Sequence, residues 1–179
     1  RQKMTVFLQL ETELLTDYCR YLFPPATPDG PCKVSESHNF GKLLISHCRI
    51  SERPVARPAG DFVLEFELPM SNTTQTLNNK FLYFSKGDAD RLNAGLKALF
   101  DIDFYSYYQK AEGCGMQKKE IIDAFVTSRK LFNSDPDEAL HKRIYRQEAT
   151  KRKRTMKLLL RRIYYLNETL DDTGITDKQ

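Results

Sequence analysis

The sequence lacks the long apolar run that a membrane span needs. No stretch of its 179 residues approaches the roughly 20 consecutive apolar residues of a transmembrane helix. It also lacks a Gly-X-Y repeat, a tandem repeat and a heptad pattern sustained through the chain. These absences exclude a collagen helix, a solenoid and a coiled coil that runs the length of the protein.

The signatures of common enzyme classes are missing as well. The sequence contains no G-x-S-x-G nucleophile motif, no G-x-x-x-x-G-K-[ST] phosphate loop and no G-x-G-x-x-G dinucleotide loop. The paired carboxylates Glu65 and Glu67 lie on the predicted solvent face of a strand rather than in a pocket. We therefore expect a protein that is not an enzyme, with no catalytic residues, no cofactor and no small-molecule ligand.

Cysteine and histidine are scarce, with four and three residues. The cysteines at positions 19, 32, 48 and 114 form no C-x-x-C pair, so we expect free thiols in a reducing cytoplasm. Cys32, His38, His47 and Cys48 are near one another in sequence. His47 and Cys48 are adjacent in a predicted strand, however, and would point to opposite sides of it. The sequence therefore predicts no metal site.

The residues that are present predict an α+β fold for residues 1–112. Apolar spacing of three and four predicts an N-terminal helix over residues 2–22, which ends before Pro24-Pro25. Short strands are predicted at 42–50, 62–68 and 80–84, and the short polar links between them favour a small antiparallel sheet of about three strands. Ser85 and Asp88 predict a capped helix start, a second short helix follows around 102–108, and these helices would cover one face of the sheet.

A basic helical domain is predicted for residues 116–170, after a domain boundary at 111–116. Gly113 and Gly115 mark that boundary. A helix over 117–132, a four-residue turn at 133–136 and a long basic helix to about residue 170 follow. Residues 171–179 form an acidic polar tail. Between Tyr145 and Met156 no large apolar residue occurs, so this stretch is either bare helix or a joint between two helices.

Positive charge is concentrated in the predicted long helix. The chain carries a formal charge of +4, but within residues 139–162 ten Lys and Arg side chains face one carboxylate, that of Glu148. Clustered cations of this kind favour a polyanionic partner, because binding to phosphates releases condensed counterions. The residues predicted to bind nucleic acid are Lys142, Arg143, Arg146, Lys151, Arg152, Lys153, Arg154 and Lys157.

Two helices joined by a four-residue turn have the spacing of a helix-turn-helix. In that interpretation Ile122, Phe125, Leu140 and Ile144 form a small core between the helices. Residues 117–154 resemble the C-terminal helix-turn-helix of short regulators and accessory proteins of bacterial mobile elements. The resemblance implies duplex DNA as the partner and a role in transcription regulation or in handling a mobile element.

A second interpretation needs no nucleic acid. Leu159, Ile163, Leu166 and Leu170 follow one another at spacings of four, three and four, as in a short coiled-coil seam. The chain would then be a protein-interaction or assembly subunit that forms a homo-oligomer through its C-terminal helix. The two interpretations are compatible, since helix-turn-helix proteins often dimerise.

Overall fold

The computed structural model describes the backbone of residues 4–172 and the side chains of residues 4–163. Strands and helices follow in the order β1 (Thr5–Gln9), α1 (Glu13–Leu22), β2 (Cys32–Lys33), α2 (Asn39–His47), β3 (Arg49–Ser51), β4 (Val63–Glu67), β5 (Phe81–Tyr83), α3 (Lys86–Gly113), α4 (Lys118–Ser128) and α5 (Asp137–Asp172). The α+β class predicted from the sequence is confirmed.

The main sheet has three strands in the order β1-β4-β2. β1 pairs with β4 in the antiparallel sense, and β2 joins the other edge of β4 in the parallel sense. β3 and β5 form a separate antiparallel pair. The predicted strands 62–68 and 80–84 are therefore present but lie in different sheets, and the main sheet is mixed rather than antiparallel.

The chain begins with a strand where the sequence predicts a helix. Val6 and Leu8 of β1 are buried, Phe7 between them is half-buried, and Leu8 lies opposite Leu64 of β4. This is the period-two pattern of a strand with one covered face. The predicted helix 2–22 is therefore wrong in its first half. Only α1 is helical, starting after Thr12, whose side chain accepts a hydrogen bond from the Leu15 N–H.

The predicted strand 42–50 is also wrong over most of its length, because residues up to His47 form α2. Phe40 and Leu44, four residues apart, are both buried on one side of this helix. Gly41 lies so close to the Ser35 carbonyl that an added Cβ would be 2.0 Å from its oxygen. The close approach explains the glycine inside a short helix. Only β3, after Cys48, is extended.

α3 is one continuous helix rather than the two predicted ones. Its start is the predicted capping box: the Ser85 side chain accepts from the Asp88 N–H, and the Asp88 carboxylate accepts from the Ser85 N–H. Its buried stripe continues without interruption through Leu96, Phe100 and Phe104. The dense run of aromatic residues after Ile102 therefore extends the helix instead of starting another.

α4 packs on α3 and completes an aromatic core. The Phe125 ring lies 5.0 Å from that of Phe104 and 5.8 Å from that of Phe100, both in edge-to-face arrangements. The contacts divide the chain into two compact units, one ending at Pro136 and one beginning at Asp137. That division lies beyond the glycines at which the sequence places its boundary, and the boundary at 111–116 stays a prediction.

The connection between α4 and α5 is longer than predicted. α4 ends at Ser128 and α5 starts at Asp137, so residues 129–136 link the helices. The predicted turn at 133–136 covers only the second half of this connection, so the predicted turn length is wrong. Lys130, with φ of 54°, adopts the left-handed backbone conformation just after the end of α4. The three-to-four-residue turn that is typical of a helix-turn-helix is absent here.

Candidate nucleic-acid interface

α5 is a single helix of 36 residues, about 54 Å long at 1.5 Å per residue. Of the two alternatives for the stretch between Tyr145 and Met156, bare helix is confirmed and a joint is wrong. Every side chain from Thr150 to Ile163 is exposed. Acidic residues open the helix, with Asp137 and Glu138 in its first turn, where they complement the positive end of the helix dipole.

Most cations of α5 share one side of the helix. At 100° per residue, seven of the ten project within an arc of about 120°. We call these seven residues the basic face: Lys142, Arg143, Arg146, Lys153, Arg154, Lys157 and Arg161. Lys151, Arg152 and Arg162 project elsewhere. From Lys142 to Arg161 the basic face extends about 28 Å along the helix axis.

The eight predicted nucleic-acid-binding residues therefore all lie on α5, but their surroundings differ. Lys142 forms an ion pair with Glu138, with Nζ 2.5 Å from Oε1, and the lysine holds the pKa of that carboxyl below its usual range. Arg143 is half-buried and donates to the Ala139 carbonyl at 3.3 Å. The remaining six residues are exposed: Arg146, Lys151, Arg152, Lys153, Arg154 and Lys157.

Two arginines of the first unit form ion pairs with carboxylates of the same unit. Arg129 donates to both carboxylate oxygens of Asp103, at 3.0 and 2.8 Å. Its guanidinium also lies 5.2 Å from the ring centre of Tyr21 and 5.3 Å from that of Tyr107. Asp103 raises the pKa of Arg129 further, so the charge is permanent and is used within the fold. Arg49 is bound to Asp88 in the same bidentate manner.

A buried carboxylate fixes the residues before α5. Asp17 of α1 is 2% exposed and accepts four hydrogen bonds from the connection. They come from the N–H and Nδ2 of Asn133, at 3.0 and 2.9 Å, and from the N–H and Oγ of Ser134, at 2.9 and 3.0 Å. Sequence reasoning gives no sign of this site, because its partners are more than a hundred residues apart.

A cleft of about 990 Å³ lies beside this carboxylate, in the first unit. It is bounded by α1, by the loop 24–29, by the start of β4 and by Lys130 and Asn133. Its charged lining is acidic on balance, with four carboxylates against two cations: Glu13, Asp17, Asp29 and Asp61 against Arg20 and Lys130. A cleft of this charge repels phosphate and does not suit a nucleic acid.

The cysteine and histidine residues between positions 32 and 48 serve in packing and at helix ends. The Nδ1 of His38 accepts from the Phe40 N–H at the start of α2, and His47 ends the same helix. The strand geometry used to separate His47 from Cys48 is thus wrong. Burial raises the pKa of Cys32 to about 11 and that of Cys48 to about 12, so both are protonated at neutral pH.

Within the part of the chain that the structure describes, no three His, Cys, Asp or Glu side chains are grouped as ligands for a metal ion. The described helices also include none that is long and apolar enough to cross a bilayer.

Comparison of the chain with protein-family models, with curated protein sequences and with solved structures finds no match to any of them.

Proposed function

We propose that this protein binds duplex DNA through the basic face of α5. The observation that carries the proposal is a set of cations gathered on one side of an exposed helix. A helix of about 10–12 Å in diameter fits a major groove about 12 Å wide. Seven cations over about 28 Å can then neutralise several of the phosphates that border the groove.

The proposed contacts are to phosphates, and they position the helix without reading sequence. The helix-turn-helix interpretation and the role in a bacterial mobile element stay predictions. The longer connection at 129–136 removes the spacing that favoured them. The small core predicted from Ile122, Phe125, Leu140 and Ile144 would join the two units, and it also stays a prediction. A reducing cytoplasm as the compartment is part of the proposal, supported by four free thiols.

Salt titration of binding to a duplex of arbitrary sequence tests the proposal. If about four to six phosphates are neutralised, the slope of log affinity against log salt should be about −4 to −5. A protein that retards no duplex at low salt would contradict the proposal.

Two triple variants with equal charge loss test the face itself. Arg146→Gln, Lys153→Gln and Lys157→Gln remove three cations from the basic face. Lys151→Gln, Arg152→Gln and Arg162→Gln remove three from elsewhere on the same helix. We expect the first triple to reduce the salt slope by about 2 to 3 and the second by less than about 1. Equal effects would show that affinity follows total charge and that the interface is wrongly placed.

The alternative, an assembly subunit that uses no nucleic acid, is favoured by a different observation. Large apolar side chains of α5 are exposed, among them Leu159 at 47% and Ile163 at 53%. The salt titration separates the two functions, because apolar association does not weaken steeply with salt.

A further inference from the structure

A second pattern runs along α5, separate from its basic face. Residues spaced by four and three positions in strict alternation form what we call the heptad stripe: Tyr145, Ala149, Arg152, Met156, Leu159 and Ile163. The large apolar members are exposed to solvent. Tyr145 is 71% exposed, Met156 58%, Leu159 47% and Ile163 53%. A repeat of 3.5 residues is the period of a coiled-coil seam rather than of a helix that lies on a globular core.

The residue types along the stripe indicate how many helices pair in the coiled coil. Starting the heptad so that Met156 and Ile163 occupy a positions places Leu159 at d. Within parallel coiled coils, a β-branched residue such as Ile163 at a with Leu159 at d favours two helices over three or four. In the sequence, Leu166 and Leu170 continue the same alternation as d and a, and their side chains lie outside the described residues.

We propose that the partner of this stripe is a second copy of the chain, paired in parallel along the heptad stripe of α5. Arg152 occupies a d position within the stripe, where two like charges meet, and it weakens the pairing at that level. The inference goes beyond DNA binding and does not rest on it, because pairing occurs without nucleic acid.

The charges beside the stripe agree with the parallel direction. In a parallel pair, each g position faces the e position five residues later on the other helix. Glu148 is at g and Lys153 is at e, so each Glu148 faces Lys153 of the second copy. The single carboxylate of this basic stretch thus stands where it meets a cation across the pair.

Sedimentation equilibrium of the full chain, without DNA, tests the pairing. Leu159→Asp places a carboxylate in the stripe. Leu158→Asp makes the same change at the neighbouring leucine, which is also exposed but lies outside the stripe. We expect wild type and Leu158→Asp to dimerise with similar dissociation constants, and Leu159→Asp to dimerise at least about tenfold more weakly. A wild type that stays monomeric, or equal weakening by both variants, would overturn the proposal.

Direction is tested by cross-linking. In a Cys114→Ser background, Leu159→Cys places one thiol in each helix at the same level of a parallel pair. Oxidised glutathione should then convert the dimer to a disulfide-linked species, whereas Leu158→Cys should give none. A dimer that Leu159→Cys fails to cross-link would overturn the parallel arrangement.

An apolar stripe beside cations also suits an anionic lipid surface, which the same variants distinguish. If the wild type is monomeric in solution and co-sediments with vesicles containing phosphatidylserine, and Leu159→Asp abolishes that binding, the stripe faces lipid. The proposed second copy would then be wrong, whether or not the basic face binds DNA.

Discussion

At the scale of single residues, Asp17 links α1 to the connection that precedes α5. Its carboxylate accepts two backbone and two side-chain hydrogen bonds from Asn133 and Ser134. We expect Asp17→Ala to lower the free energy of unfolding by about 2–3 kcal/mol, because hydrogen bonds to a charged group are lost and buried donors are left without an acceptor. Urea denaturation followed by circular dichroism measures this change. Glu13→Ala, which removes an exposed carboxylate from the same helix, should change stability by less than about 0.5 kcal/mol.

Asp88 gives the fold a predictable response to acid. The Arg49 guanidinium and the Ser85 hydroxyl, with the Ser85 N–H, hold the pKa of its carboxyl well below the usual range. Since the folded-state pKa is lowered, this stabilisation is fully present above the ordinary value of about 3.9 and is lost as the pH falls below it. We expect the melting temperature to fall as the pH is lowered from about 4 to about 2, and to fall less in Asp88→Asn. Asp90→Asn, exposed on the same turn of α3, should keep the wild-type response. An unchanged response in Asp88→Asn would assign the acid sensitivity to other carboxylates.

At the scale of elements, the bare part of α5 should contribute affinity rather than stability. Replacing Lys151, Arg152, Lys153 and Arg154 together with Gln removes four exposed charges and no buried contact. Exposed substitutions usually change stability by less than about 0.5 kcal/mol each, and relief of like-charge repulsion partly offsets any loss. The melting temperature should therefore stay nearly unchanged while affinity for every duplex falls. A variant that unfolds, or loses self-association while binding DNA as before, would show that these residues pair with acidic protein surface.

The elements that the sequence predicts correctly are those whose pattern is local. The capping residues Ser85 and Asp88 and the alternation of Leu64, Phe66 and Leu68 need no knowledge of the rest of the fold. β1 and α2 are harder to predict, because the sequence around each of them suits both a strand and a helix. Val6 and Leu8 alternate as in a strand, but they run on into the good helix-forming sequence of α1. The apolar run Leu43-Leu44-Ile45 is short enough to suit either a strand or a helix. The helix also packs through the residues before this run, with Gly41 against the Ser35 carbonyl and the Phe40 ring stacked on that of Phe23.

The candidate interface is more predictable than the contacts within the first unit. A cluster of cations is visible in the sequence alone, and helical periodicity places most of them on one face. The ion pair between Arg129 and Asp103 joins α3 to the residue after α4, and the bonds of Asp17 join residues still further apart. Pairings of this kind depend on the packing of distant elements, which no local pattern contains.

At the scale of the whole molecule, the first compact unit should fold without α5. A fragment of residues 1–136 keeps the Phe125 contacts, the Arg129–Asp103 pair and the bonds of Asp17. A fragment ending at Glu112 keeps none of these and exposes the side of α3 that carries Phe100 and Phe104. We expect a cooperative thermal transition from 1–136, and from 1–112 a transition that is much lower in temperature or absent. Equal stability of the two fragments would place α4 outside the core and restore the boundary at 111–116.

Because the cations of α5 are exposed, dissolved salt should have opposite effects on the stability of this helix and on its binding to phosphates. Lys153, Lys157 and Arg161 follow one another at four-residue spacing, so neighbouring turns of the helix repel each other. Added ions screen that repulsion and strengthen the helix, while the same ions compete for the phosphates that the helix would bind. A bound polyanion has neither drawback, because it neutralises the charges of α5 and thereby stabilises the helix. Amide hydrogens between Thr150 and Ile163 should then exchange more slowly on the duplex than in the free protein, whereas those of the buried stripe of α3 are protected in both.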